Sequence, residues 1–540
     1  MRDSYRVLAR VLCPVVAILS TVVSVSAAPA GSGTSLRVII RLNSSPDATP
    51  DSASGLSKPA SYIKKEYPSA ISAKVKSLDI PDVVVTQIAK EDLQLVINDP
   101  NVAEVFEDTL SKPSADIGAS LPEYEKPVPP YSESKDGTVI AIIDTGIDTK
   151  HPYLKNKIIA EACFSSSSSE GIKSHSLCPN GKDKQITSGA AIDCDLHISG
   201  CGHGTNVAGI AAGGPATSDG KILQGVAPRA QLIAIQVYSR FDSADVCGNK
   251  LPCALSYASD QLSALNYLYE SRNKFKLSAI NMSLGQGKFS QPCDKDLLFN
   301  TVKKLREAGI ATVVSSGNEG LTGFSPSPAC IPGVISVGAV DASKNIAKYS
   351  NTSDMVTILA PGEDIISSQE EGKYGKQSGT SMATPQVSGA LSLIRAQSPN
   401  AKLQDLIDNL VAGGTRVENL RTKKLLVSLD IQKTMSLLAI AKASKQPINI
   451  SAEQPLKWDG VSPTRVVVVP AEDNNHDNSH KATAYLESST GKATAVINKE
   501  GFYVIEMKEG INENDKAAIQ AVFGEKSKIS HETLSAPQER

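Results

Sequence analysis

The sequence predicts an α/β protein built on a largely parallel central sheet. Continuous apolar runs recur at 138–143, 231–238, 277–282, 310–315 and 334–340, as strands covered on both faces require. Helix-period stretches at 258–270 and 295–307 lie between several of them, giving the strand–helix alternation of a parallel sheet. The pattern starts at Gly137 and fades near 440, so it defines one domain over 137–445.

The flanks read differently. Residues 35–113 hold strand candidates at 36–42 and 83–86 and helical stretches at 61–75, interrupted at Pro68, and 91–98, a small α+β region that runs through Val102-Ala103-Glu104-Val105-Phe106-Glu107-Asp108. Residues 114–136 carry Pro122, Pro127, Pro129 and Pro130 without periodicity, which marks a linker. Beyond the central domain, 446–540 reads as a small β-rich region with strands at 465–469, 492–497 and 502–507. It also holds a helix candidate at 514–522, a polar loop at 471–480 and a disordered tail over the last fifteen residues.

Composition narrows the function. Of 540 residues, 55 are basic and 57 acidic, so the formal charge of -2 argues against nucleic acid as a partner. Aromatics make up 4% with a single Trp, too few for base-stacking platforms.

The first residues set the expected compartment. Arg2, Arg6 and Arg10 precede an apolar stretch at 11–25 and the small-residue exit Val25-Ser26-Ala27-Ala28. That is the pattern of a secretory signal peptide over 1–28, with an apolar stretch shorter than the ~20 residues of a membrane span. No later run is long enough either, so a secreted chain, or a periplasmic one in a Gram-negative host, without a membrane partner is expected. Cys13 leaves with the leader. Eight cysteines remain, all between 163 and 330, and an even set in a secreted chain points to disulfides. The short loops favour Cys194–Cys201 and Cys247–Cys253. Asn43, Asn351 and Asn449 stand in glycosylation sequons.

Three motifs sit where strands end and helices begin. Asp144, in Asp144-Thr145-Gly146, follows the first buried run directly, the strand end at which α/β sheets gather functional groups. An aspartic-protease reading fails, because the chain has no second Asp-Thr-Gly or Asp-Ser-Gly to share a proton. His203 opens the small-residue helix pattern Gly202-His203-Gly204-Thr205-Asn206-Val207-Ala208-Gly209. A rival reading takes Cys194, His197, Cys201 and His203 as zinc ligands, which an oxidising compartment disfavours. Ser381 lies in Gly379-Thr380-Ser381-Met382-Ala383-Thr384-Pro385, with Pro385 placed in the first turn of the helix that follows.

Taken in the order Asp, His, Ser, these motifs resemble the subtilisin-like serine proteases, the subtilases. The resemblance covers about 137–440, and 35–113 is similar, more weakly, to that family's inhibitory propeptide. It implies the subtilisin-like three-layer fold and a serine endopeptidase acting on protein or peptide substrates, made as a self-processing zymogen. The chain's own propeptide would be its intramolecular inhibitor. By that resemblance Ser381 is the nucleophile, His203 the general base and acid, and Asp144 the group that orients the imidazole. Activity should fall in acid as the imidazole is protonated. Asn318 and the Ser381 N–H would form the oxyanion hole. Ser283, Leu284 and Gly285 would form one wall of the substrate pocket, and Ser315, Ser316 and Gly317 the other. A broad, apolar or mixed preference is expected. The chemistry requires no cofactor. Structural calcium fits the resemblance, but Tyr153 stands where many relatives carry an Asp ligand, and Tyr is a poor ligand for a hard cation.

Overall fold

The structure, a computed structural model, describes residues 35–43, 57–68, 71, 75–114, 137–218, 221–435 and 438. C-terminal to these it describes strands at 464–469, 493–499, 502–507 and 528–533, and residue 519. The expected leader (1–28), the linker beyond Ser114, Asn449, the loop at 471–480 and all but one residue of the helix expected at 514–522 lie outside the described residues.

The chain forms two compact units, one of residues up to 77 with 82–107, the other of 78–81 with everything from Asp108. In the first, an antiparallel sheet runs in the order Lys76–Ser77, Val83–Ala89, Ser35–Leu42, Val102–Glu107. Val38, Ile40, Ile63, Val84, Ile88 and Val96 form its core. The helix expected at 61–75 spans Lys58–Glu66 instead. It starts early because the Ser57 side chain accepts from the Ala60 N–H. It stops before Pro68, whose ring disfavours helical geometry at Tyr67.

The expected small region does not pack as one piece to Pro113. Asp108 and the strand Leu110–Pro113 belong to the second unit, because that strand finds its backbone partners there. The second unit is organised by β1 (Val139–Asp144), β2 (Ile158–Phe164), β3 (Gln231–Gln236), β4 (Leu277–Met282), β5 (Ala311–Ser315), β6 (Ile335–Val340) and β7 (Ile358–Pro361). Their order in the sheet is β7-β6-β5-β4-β1-β3-β2, all parallel. Antiparallel pairs enter only toward the edges, at Thr415–Glu418 and Lys184–Gln185.

Every residue of β1, β4, β5 and β6 is buried, so both sheet faces are covered and alternation is lost. Helices α1 (His203–Ala212), α2 (Ala258–Glu270), α3 (Phe299–Glu307), α4 (Thr380–Gln397) and α5 (Leu403–Gly413) supply the cover. The larger core packs Val387, Leu391 and Ile394 of α4 and Leu406 and Leu410 of α5 on Val313, Val337 and Ile358. Each such side chain stabilises by about 1.5–3 kcal/mol.

All eight cysteines pair, as Cys163–Cys178, Cys194–Cys201, Cys247–Cys253 and Cys293–Cys330. The two short-loop pairs expected from spacing are among them. In the C-terminal region the order is Ala493–Lys499, Phe502–Met507, Thr464–Val469, Lys528–Thr533. The last of these corrects the expectation of a wholly disordered tail. It pairs along its length with Thr464–Val469, whose backbone supplies hydrogen bonds that no local pattern announces.

Helices α1 and α4 pack against each other through small residues. A Cβ on Gly389 would stand 2.7 Å from Val226 Cβ and 2.9 Å from the Ala211 carbonyl oxygen. Gly389→Val should therefore lower stability by about 1–3 kcal/mol, read as a lower urea midpoint, because Ala211 offers backbone with no room to yield.

Candidate active site

Asp144 ends β1, and His203 opens α1 behind Gly202, which takes a left-handed φ of 85°. The two meet because Gly204 has no side chain: a Cβ there would lie 2.2 Å from the Gly146 oxygen. The His203 Nδ1 and Asp144 Oδ1 stand 2.7 Å apart, with both side chains buried. The Thr145 N–H also donates to that carboxylate oxygen, at 2.8 Å. The outer nitrogen of His203, Nε2, is buried without a protein partner.

Ser381 is the second residue of α4, so its N–H is free of the helix ladder. Its hydroxyl donates to the Ser283 carbonyl at 3.1 Å. The expected relay is thus formed between Asp144 and His203, and its second link, from Ser381 to His203, is not made in this arrangement. Pro385 lies in the helix interior rather than in its first turn, a correction to the sequence reading. It has no N–H for the Ser381 carbonyl four residues back, and the Ser283 hydroxyl donates to that carbonyl instead, at 3.0 Å.

The cleft holds a stretch of the chain itself. Leu110–Pro113 lies antiparallel between two strands, with Pro113 and Lys112 opposite Leu284 and Gly285, and Ser111 and Leu110 opposite Ser256 and Tyr257. Asp108 anchors the segment at the N-terminus of α2, accepting from the Ser259 N–H at 2.8 Å and its hydroxyl at 2.7 Å. At the other end, Ser114 N–H donates to the Ser283 carbonyl. The Ser114 carbonyl oxygen then receives Asn318 Nδ2 at 2.5 Å and the Ser381 N–H at 3.2 Å. Asn318 cannot turn over, because its Oδ1 accepts from both the Thr380 N–H and hydroxyl at 2.9 Å.

Four of the six expected pocket residues border this segment or its terminal side chain. Ser283, Leu284 and Gly285 follow its backbone, and the Ser315 hydroxyl donates to the Ser114 hydroxyl at 3.1 Å. Gly317 stands one residue before Asn318, and a Cβ on it would lie 3.3 Å from Pro326 Cγ. The Ser316 hydroxyl is engaged by the Asn351 carbonyl instead. Cys253–Tyr257, the strand on the far side of the segment, escaped the sequence reading, since its short run carries no motif.

Asp193 was missed as well. Its carboxylate accepts from the hydroxyls of Thr145 and Thr205 and from the Gly202 N–H, tying the Asp144 and His203 loops together. Glu370 lies beside it: a Cβ on Gly202 would stand 3.9 Å from Glu370 Oε1, a buried oxygen with no donor. Burial is the main force raising both carboxyls above the ordinary range, opposed at Asp193 by its donors. At Glu370 the neighbouring charges of Asp193 and Asp148 add to it. Each therefore keeps its proton to higher pH than an ordinary carboxyl does.

Cys194 and Cys201 are joined to each other, so they are not the thiolates of a zinc site. Among the described residues no group of three or more His, Cys, Asp or Glu side chains is placed to hold a metal. Tyr153 is buried against the rings of His151 and Tyr374. Asn351 is fully buried and donates to Glu319 at 2.8 Å, so its sequon is closed to glycosylation in the folded chain.

Comparison with known proteins agrees with this geometry. The sequence model of the subtilase family, peptidase S8, matches residues 135–424. An intracellular serine protease of Paenibacillus polymyxa is 35% identical over 50% of this chain and 69% of its own length. The major intracellular serine protease of Bacillus subtilis (strain 168) is 33% identical over 55% and 78%. Subtilisin E of the same strain is 30% identical over 58% and 70%. The chain belongs to the subtilase family and is a serine-type endopeptidase.

The acid pair has a consequence for stability. A carboxyl raised by folding keeps a proton that the unfolded chain releases, so folded-state stability falls as pH rises above the ordinary carboxylate range. Glu370→Gln carries a permanently neutral group. It should flatten that fall and melt higher than the parent at alkaline pH, with little difference in acid; parallel melting curves at every pH would contradict a raised Glu370 carboxyl.

Proposed function

We propose that the chain is a secreted zymogen that cleaves itself after Ser114 and then hydrolyses other peptides with the same groups. The Ser114 carbonyl in the cradle of Asn318 and the Ser381 N–H is the observation that carries this reading. The Ser381 hydroxyl turns about its χ1 from the Ser283 carbonyl to His203, whose unpartnered Nε2 takes its proton as Oγ attacks the carbonyl carbon. The oxygen becomes negative as the tetrahedral intermediate forms, and the two donors already face it, so they need no reorganisation. The Asp144 carboxylate then faces a positive imidazolium. When the intermediate collapses, the imidazolium protonates the leaving amine, and water cleaves the acyl-enzyme by the same steps in reverse.

Until it leaves, the segment 108–114 blocks the cleft, so the zymogen inhibits itself. Secretion is supported by the basic, apolar and small-residue order of 1–28 and by eight paired cysteines, since disulfides persist in oxidising compartments. Two relatives carry the name intracellular serine protease, and that name is theirs.

Expressed without other proteases, Ser381→Ala should remain one uncut chain on a gel while the parent is processed. Equal processing of both would refute self-cleavage. With a short peptide substrate, Asn318→Ala should lower kcat about 10²–10³-fold with a much smaller change in KM, the magnitude found for one such donor in a subtilisin.

A further inference from the structure

The residue on the acyl side of the cut must place its side chain where Ser114 places its own, and that space is shallow. Ser283–Gly285 and Ser315 border it, with Gly317 two residues beyond Ser315. Pro326 comes from the buried strand Ser325–Ser327, which pairs with the Leu284–Phe289 strand. A Cβ built on Gly285 would lie 3.0 Å from Pro326 Cγ, and one on Gly317 would lie 3.3 Å from the same atom. The proline ring therefore touches both wall glycines and spans the gap between them. A pyrrolidine ring has no rotamer through which to swing aside. Its backbone is held too: the Pro326 carbonyl accepts from the Cys330 N–H at 2.9 Å, and Cys330 is bonded to Cys293.

The Ser114 side chain occupies what remains. It is 6% exposed, and its hydroxyl accepts from the Ser315 hydroxyl at 3.1 Å. Two residues earlier, Lys112 Nζ lies 3.3 Å from Glu319 Oε1, but this pair is largely solvent-exposed and discriminates weakly.

We infer that Pro326 is the specificity-determining residue of this protease, flooring the pocket so that it selects Ser or Ala before the cut, with Ser315 favouring Ser through its hydroxyl. This rests on the cleavage reading above and replaces the broad or apolar preference expected from sequence. A rigid floor excludes by steric clash, and the clash persists in the transition state, so the selection appears in kcat/KM.

The test uses the processed enzyme and peptides of sequence Ser-Lys-Pro-X with a chromogenic amide after X, where X is Ser, Ala, Leu, Phe or Lys. Ser and Ala should exceed Leu, Phe and Lys by roughly tenfold or more in kcat/KM. Pro326→Gly should raise the Phe-to-Ala ratio by about tenfold, and Ser315→Ala should remove the advantage of Ser over Ala. The parent profile alone decides the matter if the glycine variant fails to fold. Phe or Leu at the head of that profile, or a Pro326→Gly profile matching the parent's, overturns the pocket assignment and leaves the hydrolytic reading standing. No cleavage of any peptide, together with no labelling of Ser381 by a small fluorophosphonate, overturns both.

Discussion

One carbonyl group organises the second unit. The Ser114 oxygen sits between an amide and a helix N-terminus, and nearly every special feature nearby fixes one of those two donors. Thr380 locks the Asn318 amide, and Pro385 leaves the Ser381 carbonyl for Ser283, which also binds the Ser114 N–H through its own carbonyl. A donor that must reorient during reaction loses much of its value, because the reorganisation offsets the electrostatic gain. The packing of α4 on the parallel sheet is thus what positions the Ser381 N–H.

The same packing explains how the imidazole is held. His203 is buried, and its orientation is set from below by Asp144 and from the sides by loops that Asp193 ties together. Burial of several carboxyls this close costs stability unless protons are shared or donors are plentiful. Asp144 has donors in His203 and the Thr145 N–H; Asp193 has two hydroxyl and three amide donors, with Glu370 as a neighbouring acid. The site therefore gathers several carboxyls around the buried imidazole of His203.

Much of this was legible in the residue string, and what was not has a common cause. Unbroken apolar runs revealed the buried strands, and β4 and α2 run as the periodicity predicted, because local burial dictates local pattern. The three motifs were readable because a strand end or a helix start confines its residue types. Contacts between distant segments left no local trace. Nothing in Asp108 to Ser114 announces a strand lying between Leu284 and Tyr257, so its seat in the cleft was not foreseen. Asp193 and Pro326 carry no motif of their own, and only the fold sets each against its neighbours. Pro385 was misplaced because the helix starts with the residue before the serine, leaving the proline in its interior.

Self-cleavage after Ser114 depends on which bond faces the two donors. Mass-spectrometric reading of the N-terminus of the freshly processed chain tests it most directly. A new terminus at Ala115, with Ser114 ending the released fragment, is the result required. A mature chain that begins elsewhere, with Ser114 and Ala115 still joined in whichever product holds them, would contradict it.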